Sequence, residues 1–175
     1  FSRTLELVDM VRLDHFRGFA AYWRVPFGED TAINGSLEPG PGEDFLRAVE
    51  QALGKLPIIA EDLGVITKDV TALRQGFDLP GMKILQFAFG SGPENPYLPH
   101  NCAPNSVMYT GTHDNDTTMG WYAGRSEKEL DYLRRYLGPI SEAMTWAFIR
   151  MAYRCVSDIA IIPLQDVLGL GTEAR

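Results

Sequence analysis

"PIIAEDLG", residues 57–64, is the stretch on which the reading of the fold turns. Ile58, Ile59 and Ala60 run without polar alternation, then give way at once to two carboxylates, Glu61 and Asp62, and a glycine. A strand with one wet face would alternate apolar and polar residues. A short run apolar on both faces is covered on both sides, as in a parallel sheet flanked by helices.

Working outward, the same kind of run recurs. "LPIIAEDL", "MKILQFAF", "SVMYTGT" and "IAIIPL" lack clean alternation, and five buried strands are expected at Val11–Phe16, Pro57–Leu63, Met82–Phe89, Ser106–Thr112 and Ile159–Gln165. Helical stretches separate them. Glu43–Leu53 puts Phe45, Leu46, Val49 and Leu53 on one face, carries acids in its first turn and stops at Gly54. Thr67–Gln75 has a threonine to cap it. Ser126 and Glu129 have capping-box spacing, and Gly138 closes the helix they open. A longer helix is expected over Ser141–Val156, and Thr4–Met10 reads as the tail of another. Strand and helix in alternation make the class α/β with a parallel sheet. Two long loops, Phe27–Pro41 and Gly90–Pro104, leave the carboxyl ends of strands, where parallel α/β folds keep their sites.

The totals narrow the function. The 175 residues are 45% hydrophobic and 22% charged, enough for one domain with a core. A net charge of −7 argues against a nucleic-acid binder, which needs a basic face. Cys102 and Cys155 have no metal-ligand spacing. No run reaches the roughly 18 apolar residues of a membrane span, and nothing reads as a signal peptide. The expectation is a soluble protein of a reducing cytoplasm, or of a plastid if the source is a plant, with neither nucleic acid nor membrane as partner.

Polar residues gather where the strands end. The first strand leads to Asp14, the second to Glu61 and Asp62, the fourth to His113 and Asp114. Each has an ordinary structural reading. Asp14 stands between Arg12 and Arg17 and could be an ion pair; Glu61-Asp62 could orient a turn; "HDND", residues 113–116, could be an Asx-rich turn. Together they suit a cleft, because acids at matching strand ends are costly unless solvated. Two chemistries remain open from the residues. One is glycosyl transfer with one carboxylate as nucleophile and another as acid/base. The other is metal-assisted hydrolysis, with Asp14, His15, His113, Asp114 and Asp116 as ligands. Tyr22, Trp23, Tyr97, Trp121 and Tyr122 could offer faces to sugar rings, or could simply be core.

Five stretches in order, "VRLDHFRGFAAYWRVP", "IIAEDLGVIT", "GMKILQFAF", "YTGTHDNDTTMGWY" and "IIPLQDVLGLGTEAR", resemble the 4-alpha-glucanotransferases, the amylomaltase or disproportionating-enzyme family. The resemblance covers nearly the whole chain. It implies part of a (β/α)8 barrel, about five strands corresponding to barrel strands four to eight, as a fragment (residues 1–175) of a larger enzyme. It implies retaining transfer of α-1,4-glucan segments between maltooligosaccharide or starch chains through a covalent glucosyl-enzyme intermediate, with no cofactor and no metal. By resemblance Asp14 is the nucleophile, Glu61 the general acid/base and Asp114 the transition-state stabiliser. Arg12 keeps Asp14 ionised, His113 binds the same sugar as Asp114, and Asp62 and His15 line the pocket. The isolated segment is expected to be inactive without the N-terminal part of the barrel. A catalytically silent carbohydrate-binding fragment is the remaining alternative.

Overall fold

The computed structural model describes residues 1–55 and 57–175; Leu56, which opens the run "LPIIAEDL", lies outside them. The chain forms two compact units, Phe1–Met82 and Lys83–Arg175.

In the first unit the order is α1 (Ser2–Leu5), β1 (Val11–Leu13), α2 (Arg17–Ala20), β2 (Ala21–Arg24), β3 (Ser36–Pro39), α3 (Gly42–Leu53), β4 (Ile58–Ala60) and α4 (Lys68–Gly76). The next strand, β5 (Gly81–Ile84), crosses the boundary between the units. β1 pairs in parallel with β4, matching Arg12 to Ile59 and Leu13 to Ala60. β4 pairs in parallel with β5 at Ala60 and Gly81. The core of this unit is Phe16, Leu46, Ile58, Ala60, Val70 and Leu79. Phe16, Leu46 and Ala60 are completely buried, and a Leu or Phe removed from water in this way contributes about 1.5–3 kcal/mol. The expected face of α3 is partly the observed one: Leu46 is buried, with Phe45 and Val49 packed beside it.

The second unit contains β6 (Ser106–Tyr109), α5 (Thr118–Ala123), α6 (Glu127–Leu137), α7 (Met144–Arg154), β7 (Ile159–Ile161) and α8 (Leu164–Val167). β6 and β7 are parallel, with Met108 opposite Ala160. All four residues of β6 are buried, which is the both-faces-covered pattern its sequence predicts. Phe89 centres the core: its ring lies 6.3 Å from Trp121, 5.7 Å from Tyr136 and 5.9 Å from Phe148. Trp121 is therefore core. Ser126 and Glu129 form the expected capping box, Ser126 N–H donating to Glu129 Oε2 at 3.0 Å.

Several expected boundaries are corrected. All five strands are present but each stops earlier than its apolar run, because the chain turns where pairing ends. After β5 it enters a 3-10 turn, Leu85–Phe87, and after β7 it enters α8. The loop expected over Phe27–Pro41 contains β3, which pairs antiparallel with β2 through Trp23 and Leu37. This hairpin is largely exposed, so it leaves no burial pattern in the sequence. The N-terminal helix spans Ser2–Leu5 rather than Thr4–Met10. Among the described residues no helix is long and apolar enough to cross a membrane.

Candidate active site

The candidate residues fall in both units. In the first, Arg12 and Asp14 stand two residues apart at the end of β1, a spacing that places side chains on one face of an extended chain. Arg12 Nη2 lies 2.8 Å from Asp14 Oδ1, while Arg12 Nε reaches Met82 Sδ at 3.4 Å. The guanidinium is mostly covered and the Asp14 carboxylate is 75% exposed, so a partly buried cation holds an open carboxylate. Arg17 goes elsewhere, donating to the Val65 carbonyl at 2.8 Å.

The chain turns sharply after Asp14. His15 takes φ 47°, a left-handed conformation uncommon for any residue with a Cβ. That turn aims the His15 backbone N–H at Glu61, which accepts it on Oε2 at 2.7 Å. Glu61 Oε1 accepts a second N–H, from Leu63, at 3.1 Å. The backbone of Glu61 is fixed from the same side: its N–H donates to the Leu13 carbonyl, and its carbonyl accepts from Phe16, both at 3.0 Å. Asp14 and Glu61 are thus brought together by adjoining parallel strands, and the residue following one carboxylate holds the other.

Asp62 takes a different direction. Its Oδ1 accepts the Met82 N–H at 2.8 Å, and its Oδ2 pairs with Arg74 Nε, from α4, at 3.0 Å. Both side chains are mostly buried, at 12% and 17% exposure. A Cβ at Gly81 would lie 2.5 Å from Asp62 Oδ2, so the carboxylate rests on the glycine backbone. The pairing explains why a carboxylate next to Glu61 tolerates burial.

In the second unit, "THDND" is a turn built by Asn115. Its Oδ1 accepts the N–H and the hydroxyl of Thr112, both at 2.9 Å, and its own N–H returns to the Thr112 carbonyl. His113 and Asp114 project from this turn, 74% and 72% exposed, with Nε2 and Oδ1 3.4 Å apart. Asp116 faces inward: Oδ1 caps the Thr117 N–H at 2.7 Å, and Oδ2 accepts from the Thr172 hydroxyl at 2.8 Å. Gln86 donates to the Asp116 carbonyl at 2.8 Å. Beneath the turn Asp166, 1% exposed, accepts from the Thr110 hydroxyl and from both the N–H and the hydroxyl of Thr118. A cavity of about 250 Å³ opens beside it, lined in part by Thr112, His113, Gln165 and Arg175.

Gln86, Asp166 and Thr172 were not singled out by sequence reasoning. Their partners lie 30 to 56 residues away, and nothing in "PLQDVLG" separates a buried aspartate from an exposed one. Among the described residues no group of three or more His, Cys, Asp or Glu is placed to hold a metal ion, so the set Asp14, His15, His113, Asp114 and Asp116 is not gathered as one. Of the aromatics, Tyr22 and Trp23 are about half exposed on β2, and Tyr97 packs edge-on against Phe87 at 5.4 Å.

A family model described as 4-alpha-glucanotransferase matches residues 1–175. A 4-alpha-glucanotransferase of Synechocystis sp. is 54% identical over 178 residues, covering 100% of this chain and 35% of its own length. The chloroplastic/amyloplastic 4-alpha-glucanotransferase of Solanum tuberosum is 52% identical, over 99% of this chain and 30% of its own. A solved amylomaltase from Streptococcus agalactiae, in complex with acarbose, superimposes with a TM-score of 0.94 at 35% identity, covering 99% of this chain and 36% of that one. The chain spans about a third of the length of the relatives it matches. The α/β class and the partial (β/α)8 barrel expected from the sequence are shown by this likeness together with the parallel strands.

Proposed function

The chain belongs to the 4-alpha-glucanotransferase family, and from that premise we propose that it carries the reacting groups of a retaining transfer between α-1,4-glucan chains. One observation carries the reading: Glu61 is held by the N–H of His15, the residue after Asp14, so two carboxylates of separate strands share one corner. Retaining glycoside chemistry needs such a pair, one to attack and one to move the proton.

In the proposed reaction a carboxylate oxygen of Asp14 bonds to the anomeric carbon. The C1–O bond breaks with its electron pair going to the leaving chain's oxygen, which takes the proton of Glu61. The acceptor hydroxyl of a second glucan then gives its proton to Glu61, attacks C1 and frees Asp14. Arg12, 2.8 Å from Asp14, keeps the nucleophile oriented. Asp114 and His113 bind hydroxyls of the sugar whose ring flattens. The substrates are maltooligosaccharides and longer α-glucans, and the scheme calls on no cofactor or metal. Because the chain spans about a third of its relatives' length, the activity is proposed for a full-length protein carrying these residues.

The test is to trap the intermediate. A full-length chain with Glu61→Gln, exposed to α-maltosyl fluoride, should accumulate a glycosyl ester that peptide mass spectrometry places on Asp14. A label on Asp114 would reverse the assigned roles, and no label on any carboxylate would oppose a double displacement.

A further inference from the structure

We propose that the Asp62–Arg74 pair is a positioning device for Glu61 rather than part of the sugar-lined pocket, an inference that rests on the acid/base role proposed above. Asp62 adjoins Glu61 in the chain, yet the two carboxylates are taken up by different partners. Glu61 turns toward β1, where His15 N–H meets its carboxylate at 2.7 Å. Asp62 turns away, toward α4 and β5, where Arg74 Nε and the Met82 N–H hold it. A carboxylate committed in this way, at 12% exposure, has its oxygens engaged on the side away from Glu61.

The consequence is mechanical. The strand formally ends at Ala60, so Glu61 and Asp62 have no regular pairing beyond that point. Residue 61 is instead tied through its backbone to Leu13 of β1 and to Phe16, just before α2. Residue 62 is tied to the opposite neighbour through its side chain. Arg74 is itself fixed, since its Nη1 donates to the Leu79 carbonyl at 2.7 Å. The peptide between the two acids is therefore held from both sides, and the Glu61 side chain starts from a fixed base. Proton transfer requires the acid within hydrogen-bond reach of the leaving oxygen, and a shift near 1 Å can cost about 10²-fold.

The test separates proton delivery from everything else by leaving group. Fluoride departs from C1 with its electron pair and needs no proton, whereas the oxygen of a glucan does. Asp62→Asn and Arg74→Lys are made in a full-length chain, with Glu61→Gln beside them. First-turnover rates with maltotriose and with α-maltosyl fluoride are measured on the same sample of each variant and compared as a ratio, so partial unfolding drops out. Glu61→Gln should slow maltotriose by about 10²–10⁴-fold and leave fluoride release near wild type. Asp62→Asn should show the same split at about 10–10²-fold, with KM little changed, and Arg74→Lys a smaller one. Equal losses on both substrates, a change confined to KM, or no change in either variant would each overturn the positioning role. If Glu61→Gln itself shows no split, the acid/base assignment has failed, and the positioning role with it.

Discussion

His15 donates its backbone N–H to Glu61 Oε2 at 2.7 Å, so a main-chain group following the proposed nucleophile orients the proposed acid/base. The bond depends on the left-handed turn at His15, φ 47°, and not on the imidazole. Asn tolerates that conformation and Val does not. His15→Asn should keep the fold and most of the turnover in a full-length chain. His15→Val should lose about 1–3 kcal/mol and much of the activity. Thermal melts and glucose release from maltotriose report both. An Asn variant as inactive as the Val one, with an unchanged melt, would show that the imidazole itself contacts sugar.

Asp114 projects from a turn whose polar atoms are engaged below it by Asn115, Asp116 and Gln86. A carboxylate projecting from a fixed turn to where charge develops acts on the transition state more than on the ground state. Asp114→Asn should lower kcat on the order of 10²-fold or more with a modest change in KM. His113→Ala should give a smaller loss of the same kind. Steady-state kinetics with maltotriose distinguish this from a pure binding role, which would move KM alone.

The capping box of α6 should leave a signature in acid. Hydrogen bonds from Ser126 hold the Glu129 carboxyl below its ordinary value of 4.5. A carboxylate depressed on folding adds stability that is present above its unfolded pKa and fades as pH falls through the folded one. Ser126→Ala should cost about 1 kcal/mol near neutral pH. The difference from wild type should shrink as pH falls below 4.5. Denaturant melts at pH 7 and below pH 4 compare the two chains; a cost independent of pH would mean the carboxylate contributes nothing.

Burial pushes the Cys102 thiol up to about 12, with Cys155 beside it adding in the same direction. The thiolate is the reactive form, so at pH 8 alkylation of native Cys102 by iodoacetamide should be slower than that of an exposed cysteine by roughly 10²-fold or more. Peptide mapping over time measures the rate. Labelling as fast as in the denatured chain would show that the site opens.

Much of this fold was legible because its elements are specified locally. Buried parallel strands need residues apolar on both faces, and the runs at residues 58–60 and 106–109 say so directly. The Ser126–Glu129 box and the Asn115 turn close within three residues, so their partners are visible in the sequence itself. The hairpin of β2 and β3 was missed for the opposite reason. Its residues are mostly wet, so no burial pattern marks them.

The sequence by itself determined which residues stand at the ends of strands: Asp14, Glu61 and Asp114 follow apolar runs, and chain order alone puts them there. What each side chain then does was decided by tertiary structure. Glu61 and Asp62 are neighbours of the same charge, equally suited on paper to line a pocket. One accepts the His15 N–H, 46 residues back, and the other is held by Arg74 and Met82, the latter 20 residues on. Asp166 looks like any aspartate in a turn, yet it is buried under Thr110 and Thr118. Adjacent residues part company here because the groups waiting on each side come from distant segments. A carboxylate can be buried only where such donors meet it, and that meeting exists only once the chain has folded.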